Sequence, residues 1–319
     1  MLVIEEIAKY CGVTARIVVE TNMGALGCIM AYGTEAQQIE VARRILEDGD
    51  KPAMAMTEPD AGTDLGALKT KAQEHDGYYV INGTKHWITG GGISNTNFIF
   101  ARILDRDGKD QGIGGILVDR GTPGFSIGRV EDTMGLRGIP EAELIFNNCE
   151  VPTGNLVLLD PKERFKKLMN GYNAQRIGAS AVALGIAQGA HDLALKYMTE
   201  RDAFGKKLKD FQGLDWMMAQ SEIKLHASRL LIHRAACNGR MLPNNVMLPE
   251  MKETSIAKAF TAPEAFNVVS ESLQIFGASG YSRDLPLERM LRDVRMFQIG
   301  GGTSQAQLNM ISHSFFSGK

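Results

Sequence analysis

What most restricts the fold of this chain is a change of texture at two points. From Lys51 to about Pro152 short runs rich in Gly, Thr, Val and Ile follow one another, and "YYVINGTKHWIT", "FIFARIL", "GGILVDR", "FSIGRV" and "AELIFNNCEV" read as strands. Within the first of these, Asn82-Gly83 predicts a tight two-residue hairpin turn. On either side the apolar residues return at helical spacing. Residues 1 to about 47 read as helices, the last of them, "TEAQQIEVARRILEDGDK", starting at a Thr34 cap and ending at Gly49. Beyond about Pro161 the strands are expected to stop and long helices to take over, as in "LDWMMAQSEIKLHASRLLIHRAAC". The reading is an α+β chain in three parts. Residues 1–50 form an N-terminal helical domain, 51–160 a middle antiparallel β domain of barrel type, and 161–319 a C-terminal helical bundle.

Composition excludes several classes of function. A formal charge of -2 and a pI near 6.3 leave no concentrated basic surface for nucleic acid. Cys11, Cys28, Cys149 and Cys237 lie far apart, outside any metal or redox spacing, and read as reduced thiols of a cytoplasmic protein. No run is expected to approach the ~18 apolar residues of a membrane span. The opening "MLVIEEIAKYCG" places two Glu where an export signal would carry positive charge. The six histidines form no metal spacing or triad pattern.

Five segments carry chemistry-bearing residues. In "MAMTEPDAGTD" a strand runs into Thr57-Glu58-Pro59 and a small-residue turn, Ala61-Gly62-Thr63, exposing N–H groups and hydroxyls to a polar ring edge or a phosphate. In "KHWITGG" Trp87 and Thr89 stand two apart on a strand and are expected to share a face, which suits a flat heteroaromatic group. His86 is expected on the opposite face in a structural role. In "ERDAFGKKLKDFQ" Arg201 and Phe204 stand at i, i+3 before a helix-ending glycine, a permanent charge beside an aromatic ring that suits a pyrophosphate. "QIFGASGY" and "LRDVRMFQIGGGTSQAQ" complete the set.

In this order, and over nearly the whole chain, the five segments resemble the acyl-CoA dehydrogenase superfamily of FAD flavoproteins. The resemblance implies that fold, with an acyl-CoA substrate. It implies that Met56, Thr57, Trp87 and Thr89 hold the isoalloxazine ring and that Thr63 touches the CoA. Arg201, Phe204, Gln274 and Gly277 would bind the ADP half of FAD, with Thr303 and Gln305 reaching the cofactor across an interface of a homotetramer. It implies, too, that the chain enters the family's N-terminal helical domain after its first helices and stops before its last.

Dehydrogenases of that superfamily remove an α-proton with a Glu, which stands at one of two sequence positions. Here those positions hold Gly301 and Gln175. An amide has the shape of a carboxylate but no useful basicity. The segments "VIEEIAKYC", "YNAQRIGASAVALGIAQ", "DFQGLDWM" and "MFQIGGGT" resemble, more narrowly, the 3-sulfinopropionyl-CoA desulfinases. That subgroup has this Gln, lacks the Glu, and releases sulfite to leave propionyl-CoA without net redox turnover.

The narrower resemblance implies that Arg16, in "VTARIVVETN", binds the sulfino group. The Gly301 main-chain N–H and a ribityl hydroxyl would hold the thioester carbonyl. Arg176 would orient the substrate end of the site or the helix start, and Asn173 would contact CoA or cap the helix. A neutral Gln175 would spare an anionic sulfinate the repulsion of a carboxylate. Glu58 and Asp293 are not expected to replace the missing base. Two alternatives stay open: a working dehydrogenase with a relocated acid, and a truncated relative without turnover.

Overall fold

The computed structural model describes residues 1–158 and 160–315, so the end of the expected third segment, 316–319, lies outside the described residues. The chain opens with α1 (Leu2–Ala8), α2 (Gly12–Met23), α3 (Ala25–Tyr32) and α4 (Glu35–Asp48). The last is bounded as its sequence requires. Thr34 Oγ1 accepts from the Gln37 N–H, Gln37 Oε1 accepts from the Thr34 N–H, and Gly49 closes the helix at φ 66°. The expectation about apolar runs needs correction. Taken across the break at Gly24, Gly12–Tyr32 is long and apolar enough to cross a membrane by length and composition. It is two helices, however, and α2 carries Arg16 and Glu20, which are paired within the protein.

The middle segment forms β1 (Ala53–Ala55), β2 (Lys71–Glu74), β3 (Tyr78–Thr89), β4 (Thr96–Leu104), β5 (Asp110–Asp119), β6 (Phe125–Val130), β7 (Glu141–Pro152) and β8 (Leu156–Val157). Their hydrogen-bonded path is β6-β7-β3-β2-β4-β5-β8, with β1 beside β4. Most pairings are antiparallel; β1 and β2 run parallel to β4.

The hairpin expected at Asn82-Gly83 does not form. β3 passes straight through these residues and pairs with β7 along its length, shifting register between Ile81 and Gly83. Gly83 has φ 148°, and a side chain there would press on the Thr70 Cα at 2.7 Å, so the glycine serves a bulge and a close approach of two chains. A second irregularity, between Lys85 and Ile88, places Trp87 at φ 59°. Simple alternation therefore fails here, and the expected separation of His86 from Trp87 fails with it. The two rings stack at 5.2 Å, while His86 Nε2 lies 3.0 Å from Glu131 Oε1.

Helices resume with α5 (Arg164–Gly171) and α6 (Asn173–Glu200), but strands do not stop altogether. A two-strand ladder, β9 (Asp202–Ala203) and β10 (Lys206–Lys207), precedes α7 (Gln212–Cys237). Another, β11 (Gly239–Met241) and β12 (Met247–Pro249), precedes α8 (Met251–Phe276). Arg201 and Phe204 thus lie in a hairpin. The helix ends at Glu200, and Phe204 with φ 52° and Gly205 with φ 77° make the turn, the backbone signs of a tight hairpin. The chain continues through α9 (Ala278–Tyr281), α10 (Leu287–Arg295) and α11 (Ser304–Ser314).

The small-residue composition of α6 follows from its place. It is buried on all sides by a core that draws on α1, α2, α7, α8 and α10. A Cβ on Gly185 would overlap the Glu5 carbonyl oxygen and lie 2.5 Å from the Ala8 Cβ, so only glycine lets α1 lie this close. A separate core, with Ile29, Phe98, Phe100 and Leu168, joins α3, β4 and α5. Between these two cores α2 meets both the sheet and the head of α6.

Candidate active site

The centre of the site is Arg16, on α2 and 8% exposed. Its Nη2 donates to Thr89 Oγ1 at 2.7 Å and pairs with Glu141 Oε1 at 2.7 Å, reaching β3 and β7 together. Its Nε lies 3.4 Å from Glu20 Oε1, one helical turn further along α2. The other oxygen of Glu20, Oε2, accepts from Gln175 Nε2 at 2.5 Å. Gln175 Oε1 is buried and has no hydrogen-bond partner among the described residues. Five residues from four elements thus form one network around a single cation.

Burial dominates its electrostatics. Desolvation raises the pKa of Glu20, and Glu141 adds to the rise, outweighing the opposing pull of Arg16 and Gln175. Glu141 is raised for the same first reason, against Arg16 and Thr89. Burial works against the Arg16 charge, yet its two carboxylates prevail and the guanidinium is held above its ordinary value. A small cleft opens beside the network, lined by Glu20, Thr89, Gly90, Ile17, Ile93 and Ile139.

The second half is the loop after α10. Lys258 Nζ, on α8, donates to Gly300 O at 2.7 Å and to Gly302 O at 2.5 Å, while Arg176 Nε donates to the carbonyl between them, Gly301 O, at 3.2 Å. Three successive carbonyls are thereby held by two buried cations. Because a peptide unit is planar and trans, gripping Gly300 O turns the Gly301 N–H away from Lys258. Burial, and then the neighbouring Arg176, pulls the Lys258 amine down to about 7. Arg176 itself is lowered by burial and lies over the Tyr172 ring at 5.0 Å.

Asn173 corrects an expectation. It neither caps α6 nor lies open to a ligand: it is 1% exposed, donates to Pro249 O at 3.1 Å and accepts from Arg176 Nη1 at 2.8 Å. Its role is to hold Arg176. Glu58 and Asp293 are likewise engaged. Glu58 receives Lys85 Nζ at 2.8 Å and the Lys69 and Thr70 N–H groups, and Asp293 receives the Leu136 N–H at 2.6 Å.

The residues expected to bind FAD divide into groups. Met56 and Thr57 are half-buried where β1 ends, and the Thr57 carbonyl accepts from the His86 N–H, which ties that segment to Trp87. Trp87 is 52% exposed, a broad ring face for stacking. Thr89 differs from expectation, since its hydroxyl is already engaged by Arg16 and Glu141. Thr63 lies exposed in its turn.

Arg201, Phe204, Gln274 and Gly277 are all exposed at one end of the helical domain, which a small core with Met198, Leu208, Ile275 and Phe276 draws together. Phe204 is 97% exposed, and the space a side chain on Gly277 would take is open. Thr303 caps α11, with Oγ1 accepting from the Ala306 N–H at 3.1 Å, and Gln305 is exposed on its first turn. Open aromatic faces, a surface arginine and an unfilled glycine are donors and surfaces that fit a flat dinucleotide such as FAD.

Sequence reasoning missed Glu20, Glu141 and Lys258. Only Glu20 left a signal, its i, i+4 spacing from Arg16 in "RIVVE".

A β domain between two helical parts, with a buried arginine and its two carboxylate partners where α2, the sheet and the head of α6 meet, is the architecture of a flavin-dependent acyl-CoA enzyme. Residues 53–149 match the acyl-CoA dehydrogenase middle domain and residues 165–316 the acyl-CoA dehydrogenase C-terminal domain, and the chain belongs to the acyl-CoA dehydrogenase family. It is 48% identical over 308 residues to a 3-sulfinopropanoyl-CoA desulfinase of Paraburkholderia xenovorans, covering 96% of this chain and 77% of that protein. A short-chain-specific acyl-CoA dehydrogenase of Clostridium acetobutylicum is 38% identical over 316 residues, 99% of this chain and 82% of that one. Among solved structures, butyryl-CoA dehydrogenase from Megasphaera elsdenii superposes with a TM-score of 0.91 at 34% identity, covering 99% of this chain and 81% of that chain.

Proposed function

We propose that this chain is a 3-sulfinopropionyl-CoA desulfinase, an FAD-containing enzyme that hydrolytically releases sulfite and leaves propionyl-CoA, and that it works as a cytoplasmic homotetramer. One observation carries the reading. The two positions where dehydrogenases of the family place their base hold Gln175 and Gly301, while a buried arginine stands within reach of the Gln175 network. Arg16 is a permanently charged fork suited to two sulfinate oxygens. The Gly301 N–H, aimed by the hold of Lys258 on the Gly300 carbonyl, is the donor for the thioester carbonyl, and it survives the loss of a side chain at that position because it is main chain. When bound, FAD supplies a hydride acceptor in dehydrogenation; desulfination needs none, since a carbon–sulfinate bond plus water gives carbon–hydrogen plus bisulfite.

A second reading has one observation in its favour. Glu20 is a half-buried carboxylate with a raised pKa at the head of α6, and a dehydrogenase could use it as a relocated base. A parallel assay separates the two. Sulfite release from 3-sulfinopropionyl-CoA without anaerobic flavin bleaching by butyryl-CoA is the expected result. Bleaching without sulfite would replace the desulfinase reading by the dehydrogenase one.

A further inference from the structure

The expectation that Gln175 keeps negative charge away from an anionic tail meets a difficulty, because Glu20 and Glu141 already surround Arg16. With both carboxylates ionised, one cation and two carboxylates sum to one negative charge before any substrate arrives. A sulfinate would add another, with no further cation bonded to the cluster among the described residues. Lys51 lines the cleft wall but is exposed. The other groups facing Glu20 are Tyr172, whose own ionisation is pushed up by burial and by Glu20, and the neutral Gln175. Charge balance therefore favours entry of a proton with the substrate.

The geometry selects its destination. The weakest bond in the network is the 3.4 Å contact from Arg16 Nε to Glu20, while the contacts to Glu141 and Thr89 are 2.7 Å. An incoming anion displaces Glu20 most readily, and Glu20 lines the cleft. Gln175 is a ready receiver for the change. Its Oε1 is buried and unpartnered, and rotating the amide by half a turn presents that acceptor to a protonated Glu20.

We propose that Glu20 takes up one proton when an anionic acyl tail binds Arg16, and that this proton is the one delivered to the β-carbon. The inference rests on the desulfinase reading. In the balanced step the oxygen of water bonds to sulfur, the carbon–sulfur bond breaks, and its electron pair takes the Glu20 proton at carbon. Bisulfite leaves with one water proton, and the other restores Glu20. Carbon is reduced by the two electrons that sulfur gives up, so no external oxidant or reductant enters.

The test counts protons on the FAD-loaded protein. Succinyl-CoA, a carboxylate-tailed acyl-CoA of similar length, is titrated calorimetrically at pH 7.5 in two buffers of different ionisation enthalpy. Uptake of about one proton is expected in the unmodified protein, with none for neutral-tailed butyryl-CoA and none in Glu20→Gln. Sulfite release by Glu20→Gln should fall at least ~100-fold in kcat with KM changed little, the signature of a lost general acid, and Glu20→Asp should regain part of it. Bound flavin and circular dichroism verify folding. Proton-neutral binding by the unmodified protein, uptake that persists in Glu20→Gln but vanishes in Glu141→Gln, or near-normal kcat in Glu20→Gln would each overturn the proposal. Glu20-dependent uptake in a protein that releases no sulfite would sustain the binding half while ending both the delivery step and the desulfinase reading.

Discussion

Replacing Gln175 by Glu puts a second carboxyl where the amide now donates to Glu20 at 2.5 Å. Two unit charges about 3 Å apart in an effective dielectric of 20 repel by about 5.5 kcal/mol, roughly four pKa units. The pair would share one proton, its second ionisation pushed to a pH well above the usual carboxylate range. Below that pH the pair carries no more charge than Glu20 alone; above it, the pair carries one charge more and repels an anionic tail. Sulfite release by Gln175→Glu should therefore persist at the acid end of the range and, once pH passes that ionisation, fall roughly tenfold per unit relative to the unmodified protein. The ionised pair also supplies the base that Gln175 lacks, so anaerobic flavin bleaching by butyryl-CoA should emerge as pH rises. The assay is kcat/KM for sulfite release at half-unit steps from pH 6 to 9. Superimposable profiles for the two proteins would refute the reasoning, because carboxyls in contact cannot titrate independently.

Three further outcomes follow from particular contacts. Arg16→Lys keeps the charge but loses the fork that spans Thr89, Glu141 and Glu20, and should cost at least ~100-fold in sulfite release; activity within threefold would place the anion elsewhere. Lys258→Met strips the donors from the Gly300 and Gly302 carbonyls and should weaken acyl-CoA binding, read as KM. It should also change how stability depends on pH. Lys258 titrates near 7 when folded and near 10.5 when unfolded, so between those values the unfolded chain holds the extra proton and stability rises with pH, by at most about 1.4 kcal/mol per unit. Denaturation midpoints from pH 7.5 to 9.5 should lose that slope in the variant, and an unchanged slope would assign it to other groups. Gly185→Ala drives a methyl into the Glu5 carbonyl and Ala8 on α1 and should destabilise by about 1–3 kcal/mol; an unchanged melting temperature would mean that α1 does not lie on α6.

The three-part texture and the bounds of α4 were legible because they depend on residues near one another in sequence. A capping box needs Thr34 and Gln37, and a helix stop needs Gly49. The misread elements are those in which a local signal served a distant partner. Gly83 reads as a turn, yet its missing side chain makes room for Thr70. Phe204-Gly205 reads as a helix end, yet it turns a hairpin that packs on α6 and α7. The site divides along the same line. Arg16 and Gln175 could be singled out by residue type and motif, but Glu141 and Lys258 meet their partners 125 and 42–44 residues away in sequence, which no local pattern encodes.

The absence of a carboxylate from a sequence position is not its absence from a place in the fold. At both positions where a base would stand this chain has none, and that vacancy pointed to chemistry without an α-proton base. Folding brings Glu20 from α2 to the head of α6, against the very residue that marks the vacancy. Under the proposed function a carboxylate beside Arg16 stands next to the group that holds the anionic tail, whereas the positions of Gln175 and Gly301 are those that serve α-proton removal in dehydrogenases of the family. With Glu20 as the proposed proton donor, proton chemistry passes from the α-proton that dehydrogenation removes to the β-carbon where a sulfinate is lost. The same proposal gives Gln175 a role: it is the neutral partner that can serve Glu20 in either protonation state, which a glutamate or an apolar side chain cannot do.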